Sequence, residues 1–431
     1  MRLGILGLWH LGSVTAACMA EAGHDVVAWD PDAATVERFR AGVPAVKEPG
    51  LAELVRQGLD NGRLSAMSDL ASAVAGADVI WVAFDTPVDD QDRADVDFVI
   101  THVEAAMPAI RDGAVVLVSS QLPVGSVRRL EHAWLAAAAG RTASFACSPE
   151  NLRLGKALDV FRRPDRIVVG VRDDRARAVL TQMFAPLAAR IEWMGVESAE
   201  MTKHAINAFL ATSVTFINEI AAVCEETGAD AKDVERGLKT EQRIGPGAYL
   251  APGGAVAGGT LARDIMFLRA LGEAVQRPTP LLDGVHAGNI AHRAWAQRRV
   301  RAECGDLRGT PIAVWGLTYK PGTDTLRRSS AVELCRWLVG EGANVRVHDP
   351  QVDTLPDELR AVVRKATPID AAAGAAALVV ATEWPEYRQV DVDALAAAMP
   401  GGLVLDANRF LGKTVGVDSR FRLVSVGQPR Q

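Results

Sequence analysis

Short apolar strands alternate with helical segments through the first part of the chain, and few folds satisfy this pattern. Apolar runs at residues 2–6 and 25–29 flank a helical stretch at residues 11–22, as in a βαβ unit. This alternation predicts a doubly wound, largely parallel sheet over residues 1–195. Further buried-strand patterns follow at residues 79–84, 114–118, 144–147 and 166–170.

The strand pattern then stops and returns near the end of the chain. Residues 198–227 have the apolar spacing of one long helix, and a second helical stretch over residues 261–302 is interrupted near Pro278 and Pro280. We therefore predict an α/β protein in which two Rossmann-like doubly wound domains are joined by a long central helix. The later strand patterns lie at residues 311–316, 344–347, 377–381 and 403–406, with a helix over residues 330–341.

Composition excludes several classes of protein. A chain of 431 residues with 49% apolar and 23% charged residues is typical of a soluble globular protein of two or three domains. The formal charge of −6, without a basic stripe, argues against a nucleic-acid partner. No uninterrupted apolar run reaches the ~18 residues that a bilayer span needs. Since the N-terminus also has no signal-peptide pattern, we expect no membrane association and a cytoplasmic location. The five cysteines are widely spaced, which predicts reduced thiols and no metal site.

A glycine-containing turn joins the first strand to the first helix. In a Rossmann turn the first glycine makes the bend, the second lets the backbone approach a pyrophosphate, and the third allows close helix packing. Here Gly7 and Gly12 occupy the first and third positions, and Trp9 occupies the second. Asp30 ends the second strand, where a carboxylate binds a ribose 2′-hydroxyl and repels a 2′-phosphate. The turn predicts a site for NAD rather than NADP, while Trp9 keeps open a domain that has lost tight nucleotide binding.

Short motifs in a consistent order extend this interpretation along nearly the whole chain. They are Glu48-Pro49-Gly50-Leu51, Asp85-Thr86-Pro87, Pro123-Val124-Gly125-Ser126, the segment from Ser148 to Gly155, Glu200-Met201-Thr202-Lys203, Arg243-Ile244-Gly245 and the segment from Lys320 to Arg327. With these motifs the chain resembles the UDP-glucose/GDP-mannose dehydrogenase family of nucleotide-sugar dehydrogenases. The resemblance implies an NAD-dependent, homodimeric oxidoreductase that acts on a CH–OH group of a sugar nucleotide.

The resemblance also implies roles for three regions and for individual residues. Residues 1–195 would bind NAD, residues 196–302 would form a helical dimerisation domain, and residues 303–431 would bind the sugar nucleotide. The residues expected to contact the cofactor are Gly7, Trp9, Leu11, Gly12, Asp30, Thr86, Pro87, Gln121 and Arg327. Those expected to bind the substrate are Leu152, Arg243, Tyr249, Gly259 and Lys320, and Arg243 would reach the substrate of the neighbouring subunit.

The long central helix carries the strongest candidate catalytic pair. Lys203 and Asn207 are four residues apart, so they project from one helix face and can converge on one ligand atom. An ammonium and an amide in this arrangement would stabilise a developing alkoxide. The alternative is a surface lysine beside a structural asparagine. By resemblance, Asp264 and Glu150 complete the retained catalytic set, and Thr260 stands nearest to the family's catalytic cysteine.

The loop before Asp264 departs from the family pattern at the residue that performs covalent catalysis. The family's Gly-Gly-x-Cys-x-Pro-Lys-Asp segment corresponds to residues 258–264, which are one residue shorter and contain no thiol. The family's second glutamate falls on Leu154, and its threonine before Val-Pro-Val falls on Gln121. A threonine hydroxyl is far less acidic than a thiol and is a poor nucleophile without a base.

These departures predict an oxidation that stops after one hydride, at an aldehyde or ketone. An epimerase that uses a transient oxidation is a variant of this hypothesis. Two alternatives stay open. One is a complete four-electron dehydrogenase that works by a thiol-free route, and the other is a homologue that binds sugar nucleotides without turnover.

Overall fold

The chain folds into two units, Met1–Ile206 and Asn207–Gln431, and the boundary lies within the helix Val196–Thr227. The computed structural model describes residues 1–89, 94–150, 152–256 and 260–429. Each unit contains one largely parallel sheet.

The first unit is built around a Rossmann sheet. Its described strands are β1 (Arg2–Leu6), β2 (Asp25–Trp29), β3 (Leu64–Met67), β4 (Val79–Val82), β5 (Ala114–Val118), β6 (Ala143–Cys147), β7 (Ile167–Gly170) and β8 (Ile191–Met194). Their spatial order is β3-β2-β1-β4-β5-β6-β7-β8. β1 to β6 run parallel, and β7 pairs antiparallel with β6. In sheets of this order, ligands bind outside the carboxyl ends of the strands near β1 and β4, where the strand order reverses.

Aspartates begin several helices of the first unit. The carboxylates of Asp32, Asp69, Asp95 and Asp173 each accept a backbone N–H from the first helical turn, which satisfies donors that have no partner inside the helix. The helices are α1 (His10–Glu21), α2 (Ala33–Arg40), α3 (Leu51–Asp60), α4 (Leu70–Val74), α5 (Val96–Ala106), α6 (Ser126–Ala137), α7 (Ala157–Arg162), α8 (Asp174–Phe184) and the start of α9 (Val196–Thr227).

The second unit places a smaller parallel sheet after a run of helices. In its described part the strands are β9 (Pro311–Trp315), β10 (Asn344–His348), β11 (Val363–Arg364), β12 (Ala377–Val380), β13 (Leu403–Asp406) and β14 (Arg422–Val424), in the spatial order β11-β10-β9-β12-β13-β14. After the end of α9, the helices are α10 (Ala231–Thr240), α11 (Thr260–Ala274), α12 (Pro280–Arg293), α13 (Trp295–Cys304), α14 (Ser330–Gly340), α15 (Pro368–Ala372) and α16 (Val392–Ala398).

Burial explains why the central strands read as continuous apolar runs. β4 and β5 are buried at every residue, because helices cover both faces of a parallel sheet. Alternate side chains of β5 enter different cores: Val115 and Leu117 pack on one face, and Val116 and Val118 on the other. The period of two therefore separates two apolar cores rather than a core from solvent.

The predicted α/β class, with two Rossmann-like domains and a long connecting helix, is confirmed. The structure adds elements that the sequence pattern did not predict, among them β3, β8 and α10. β8 is half-buried along its length, so it lacks the apolar run of a central strand. The division of the chain into regions 1–195, 196–302 and 303–431 stays a prediction.

The helix α9 is long and apolar enough to cross a membrane by length and composition alone. Its most apolar 18-residue window has a mean hydropathy of 1.4, and 44% of that window is buried. A buried core helix meets the same criterion, so this is weak evidence for a membrane span. The expectation of no membrane association stays a prediction.

Candidate active site

The first and third glycines of the β1–α1 turn are required by packing. Gly7 has a φ of +104°, and a Cβ there would lie 2.9 Å from the carbonyl oxygen of Ala83 and 2.9 Å from Cα of Phe84. A Cβ on Gly12 would lie 1.9 Å from the Gly7 carbonyl oxygen. Any side chain at either position would force the turn and the strand apart.

The carboxylate of Asp30, which is predicted to bind a ribose, accepts two backbone amides. One of its oxygens accepts the Leu8 amide at 2.8 Å, and the other accepts the Asp32 amide at 2.9 Å. Desolvation raises the pKa of Asp30, and the two amides partly oppose this by binding the charged form. An ionised carboxylate has about four acceptor positions, so two stay available for hydroxyl donors. Gly7, Gly12 and Asp30 together fit a dinucleotide at this turn.

Trp9 and His10 are neighbours in sequence but have different surroundings, since Trp9 is exposed and His10 has a structural contact. Trp9 is 53% exposed. His10 contacts the buried carboxylate of Glu48, with 3.1 Å between Nε2 and Oε2. Glu48 also accepts the backbone amides of Gly155 at 2.8 Å and Ala157 at 2.9 Å. His10 therefore belongs to a carboxylate-centred network that positions the loop after β6, a role that the sequence did not reveal.

Thr86 and Gln121 lie together at the carboxyl ends of β4 and β5. The Thr86 hydroxyl donates to the Gln121 carbonyl oxygen at 2.8 Å, and Thr86 is buried while Gln121 is half-buried. Pro87 is exposed beside them. The preceding residue, Asp85, accepts the amide of Leu11 at 3.0 Å. Thr86 and Gln121 therefore lie at the edge where Rossmann sheets bind ligands, and their neighbour Asp85 contacts the amino end of α1.

Leu152 and Glu150 follow β6 in the same unit. Leu152 packs against the apolar core that includes α1, which is a structural role for a residue predicted to bind substrate. Glu150 is half-buried. Leu154, which is expected to take the place of the family's second glutamate, is 39% exposed.

The start of α9 is anchored by Glu200 and His204. The carboxylate of Glu200 accepts the amides of Gly125 at 2.7 Å and Val127 at 3.0 Å, at the amino end of α6. His204 is buried, and its Nε2 lies 2.9 Å from the Leu122 carbonyl oxygen. These contacts orient the helix face that carries Lys203, which is half-buried.

The second unit contains a buried hydrogen bond between two predicted catalytic residues. The Asn207 amide nitrogen donates to the Asp264 carboxylate, and the two residues are 5% and 0% exposed. A buried carboxylate is tolerated only when donors surround it. The contact joins α9 to α11 and holds the amide one helical turn from Lys203.

A cavity of about 550 Å³ lies within the second unit. Its wall includes Tyr249 and Thr260, two of the predicted site residues, and Thr260 begins α11. Other lining residues are Val214, Lys232, residues 251–256, Leu261, Tyr319, Glu383, Arg388, Asn408, Arg409 and Phe410. This volume is in the range of sites for small molecules.

Four amide and imidazole side chains hold the glycine-rich wall of this cavity. Asn218 accepts the Gly253 amide at 3.0 Å, and the Gly253 carbonyl oxygen lies 2.8 Å from Nε2 of His292. Asn408 accepts the Gly254 amide at 2.7 Å. The fourth, Asn289, forms two hydrogen bonds with the backbone of Val256, at 2.8 and 3.0 Å.

The close approach of Asn408 explains one glycine of this wall. A Cβ on Gly253 would lie 2.0 Å from Oδ1 of Asn408, so a larger residue would displace the asparagine. The sequence does not predict that these four residues hold the wall, because each contact joins segments that are distant along the chain.

Cations on the cavity wall suit an anionic ligand. Arg388 lies over the ring of Phe410, with 4.0 Å from Cζ to the ring centre, as in a cation–π contact. Arg409 pairs with Asp230 at 2.8 Å. Glu383 is half-buried, and desolvation raises its pKa. The wall therefore combines guanidinium groups with a carboxylate that is more easily protonated than usual.

Other predicted substrate and cofactor residues lie outside the described cavity wall. Arg243 is exposed and forms an ion pair with Glu241 at 3.0 Å, as a surface arginine does. Lys320 is half-buried and Arg327 is exposed. Gly259 lies outside the described residues.

All five cysteines have raised pKa values, because burial disfavours the thiolate. Desolvation raises the pKa of Cys18 and of Cys335 to about 12, and it raises those of Cys147, Cys224 and Cys304. None of the five is among the described residues that line the cavity. Each thiol is therefore less nucleophilic at neutral pH than a free cysteine.

Comparison with known proteins places the whole chain in one family. Three models of the UDP-glucose/GDP-mannose dehydrogenase family match it: the NAD binding domain at residues 1–188, the central domain at residues 197–290 and the UDP binding domain at residues 313–413. The chain is 35% identical to a UDP-glucose 6-dehydrogenase of Rhizobium meliloti (strain 1021), with 100% of both chains covered.

Two further relatives agree. A UDP-glucose 6-dehydrogenase of Pseudomonas aeruginosa is 34% identical, with 100% of this chain and 98% of the relative covered. The solved structure of a UDP-glucose dehydrogenase from Pyrobaculum islandicum superposes with a TM-score of 0.87 at 31% identity, covering 100% of this chain and 98% of that one. The chain therefore belongs to the UDP-glucose/GDP-mannose dehydrogenase family and is an NAD-dependent oxidoreductase that acts on nucleotide-activated sugars.

Proposed function

We propose that the protein oxidises a UDP-glucose-like sugar nucleotide by one hydride and releases an aldehyde or ketone. The observation that carries this proposal is the buried Asn207–Asp264 pair, one helical turn along α9 from Lys203, combined with Thr260 at the cavity wall. Lys203, Asn207 and Asp264 serve the removal of one hydride. Thr260 replaces the nucleophile that a further oxidation by covalent catalysis would use. The names of the relatives support UDP-glucose as the first substrate to test.

The proposed oxidation needs a base, a stabilised alkoxide and a hydride acceptor. NAD supplies the acceptor when bound, and Gly7, Gly12 and Asp30 would hold it. Lys203, as the neutral amine, accepts the hydroxyl proton of the substrate and then, as an ammonium, donates to that oxygen, while the Asn207 amide donates to it as negative charge develops. The carbinol C–H bond breaks, its electron pair leaves with the hydrogen, and a C=O bond forms. Asp264 orients Asn207 through their hydrogen bond.

The residues of this site are poorly suited to a second oxidation by covalent catalysis. Covalent oxidation of an aldehyde needs a nucleophile to form a hemiacetal, a hydride acceptor to convert it to an ester, and a group to assist hydrolysis of that ester. Thr260 has a hydroxyl that stays protonated at neutral pH, and Leu154 is apolar at the position that corresponds to the assisting glutamate. The five thiols lie outside the described cavity wall and have raised pKa values.

Counting NADH against sugar consumed tests the proposal directly. The chain is incubated with NAD and a panel of UDP-, GDP- and dTDP-sugars, and the products are trapped with a carbonyl reagent and identified by mass spectrometry. We expect one NADH per sugar and a trapped aldehyde or ketone. Two NADH and a carboxylate would establish the four-electron, thiol-free alternative instead. Sugar binding by calorimetry without NADH would establish a non-catalytic homologue, and isomerised sugar without net NADH would establish an epimerase.

Thiol reagents should leave the activity intact. Because burial raises the pKa of every cysteine, the thiolate fraction is small at pH 7 and grows only as the pH rises toward those pKa values. Iodoacetamide at pH 7 should modify half-buried Cys304 first and should not slow NADH formation. Thr260→Ala should keep the rate within about twofold, since no covalent step uses the hydroxyl. Rapid inactivation that tracks alkylation of one cysteine, mapped by peptide mass spectrometry, would contradict this account.

The quaternary structure and location extend the proposal. Phe209, Phe216 and Val223 are exposed by 71%, 46% and 59% on α9. They are seven residues apart, so they form one apolar stripe along the helix. This stripe supports a homodimer that packs through α9; the cytoplasm stays the proposed location. The sedimentation coefficient of the native protein tests the dimer.

A further inference from the structure

The amino end of α1 is bound by a negative charge of its own chain. The Leu11 amide donates to the Asp85 carboxylate at 3.0 Å, across 74 residues of sequence. Trp9, at the start of α1, makes no capping hydrogen bond with its side chain, and the first turn contains no acidic residue. Asp85 therefore supplies the anion that the partial positive charge of a helix N-terminus attracts.

The amides of this turn are also the donors that a Rossmann fold offers to a dinucleotide pyrophosphate. Two of them are already engaged by carboxylates, Leu8 by Asp30 at 2.8 Å and Leu11 by Asp85. Asp85 directly precedes Thr86 and Pro87, two of the residues expected to contact the cofactor. A glycine in place of Asp85 would leave the Leu11 amide to the ligand or to water.

We propose that Asp85 competes with the pyrophosphate of NAD for the Leu11 amide, and so weakens binding of the cofactor. A pyrophosphate that approaches this amide meets a carboxylate within hydrogen-bonding distance of the same donor, and like charges at such distances repel. Binding therefore requires the exposed Asp85 side chain to leave the helix end for solvent. Without cofactor, the same contact caps α1 and keeps the turn formed.

The competition concerns phosphate rather than adenine or ribose, and this determines the test. Binding of NAD, ADP and adenosine to the full chain and to Asp85→Asn is measured by isothermal titration calorimetry without sugar. Asparagine keeps the shape and an acceptor oxygen but removes the charge. We expect the variant to lower the Kd for NAD and ADP by about 5- to 20-fold, which corresponds to one charged interaction. The Kd for adenosine should stay the same.

Asp60→Asn is the matched control, because Asp60 is an exposed residue at the end of α3 and its loss changes the net charge equally. It should leave all three Kd values unchanged. The proposal would be overturned if Asp85→Asn left the Kd for NAD unchanged or raised it. It would also be overturned if the variant lowered the Kd for adenosine by the same factor. If Asp85→Asn does not fold, Asp85→Ser gives the same comparison. The titrations contain no substrate, so their outcome is independent of how many hydrides the enzyme removes.

Discussion

Replacing Lys203 with methionine should lower kcat for NADH formation about a thousandfold, because the substrate hydroxyl loses both its base and its charge stabiliser. Methionine has nearly the length of lysine and is unbranched, so α9 and its anchoring contacts should persist. Glu200 and His204 hold this part of the helix through Gly125, Val127 and Leu122. The measurement is the initial rate of NADH formation with saturating sugar nucleotide, together with the Kd for NAD.

Two further measurements separate a catalytic role of Lys203 from a structural one. If Lys203 acts in the reaction, the Kd of Lys203→Met for NAD should stay within about twofold of the parent value, since the predicted cofactor contacts lie elsewhere. Lys203→Arg keeps the positive charge but changes the donor geometry, so it should retain part of the activity and shift the pH profile of kcat. The exposed Lys413→Met is the control and should behave as the parent chain. A Lys203→Met enzyme with more than about a tenth of the parent kcat would remove Lys203 from the reaction.

Replacing Asp264 with asparagine should lower kcat about a hundredfold while the protein stays folded. The asparagine can still accept from Asn207 through its carbonyl oxygen, but the charge that polarises and orients that amide is lost. Asp264→Ala should also reduce the free energy of unfolding by about 1–3 kcal/mol, because the buried Asn207 amide then has no acceptor in Asp264. Urea unfolding gives the stability and initial rates give kcat.

The two variants separate chemistry from folding. If Asp264 serves only packing, Asp264→Asn should keep the parent kcat and Asp264→Ala should lose stability alone. Asp283→Asn is the control, since it removes the same charge from the exposed Arg269–Asp283 pair that joins α11 to α12. It should change neither kcat nor the urea midpoint by a measurable amount. Equal losses of kcat in Asp264→Asn and Asp283→Asn would indicate an effect of net charge.

Local patterns were sufficient for the architecture. The strands Arg2–Leu6, Asp25–Trp29, Ala114–Val118 and Leu403–Asp406 have the bounds that their apolar runs predicted. Strands that lie at an edge or only half-buried, such as β8, were missed because their side chains do not form an apolar run. Helix α10 was missed, although an aspartate at its start, Asp230, accepts an amide from its first turn.

The candidate site was predictable only where it follows from one short segment. Gly7, Gly12 and Asp30 act through a single βαβ unit, and Lys203 and Asn207 through one helix turn. Contacts between distant segments were not predictable: His10 with Glu48, Leu11 with Asp85, and the residues that hold the cavity wall.

By itself, therefore, the sequence determined the class of fold, the cofactor turn and the spacing of the catalytic pair, since each depends on periodicity or turn chemistry among near neighbours. Tertiary structure alone decided which donors already have acceptors. Asp85 reaches the Leu11 amide across 74 residues, and Asp264 accepts from Asn207 across 57. The physical reason is that a hydrogen bond depends on the distance between two atoms in the folded chain, and side-chain type and order along the sequence do not specify that distance.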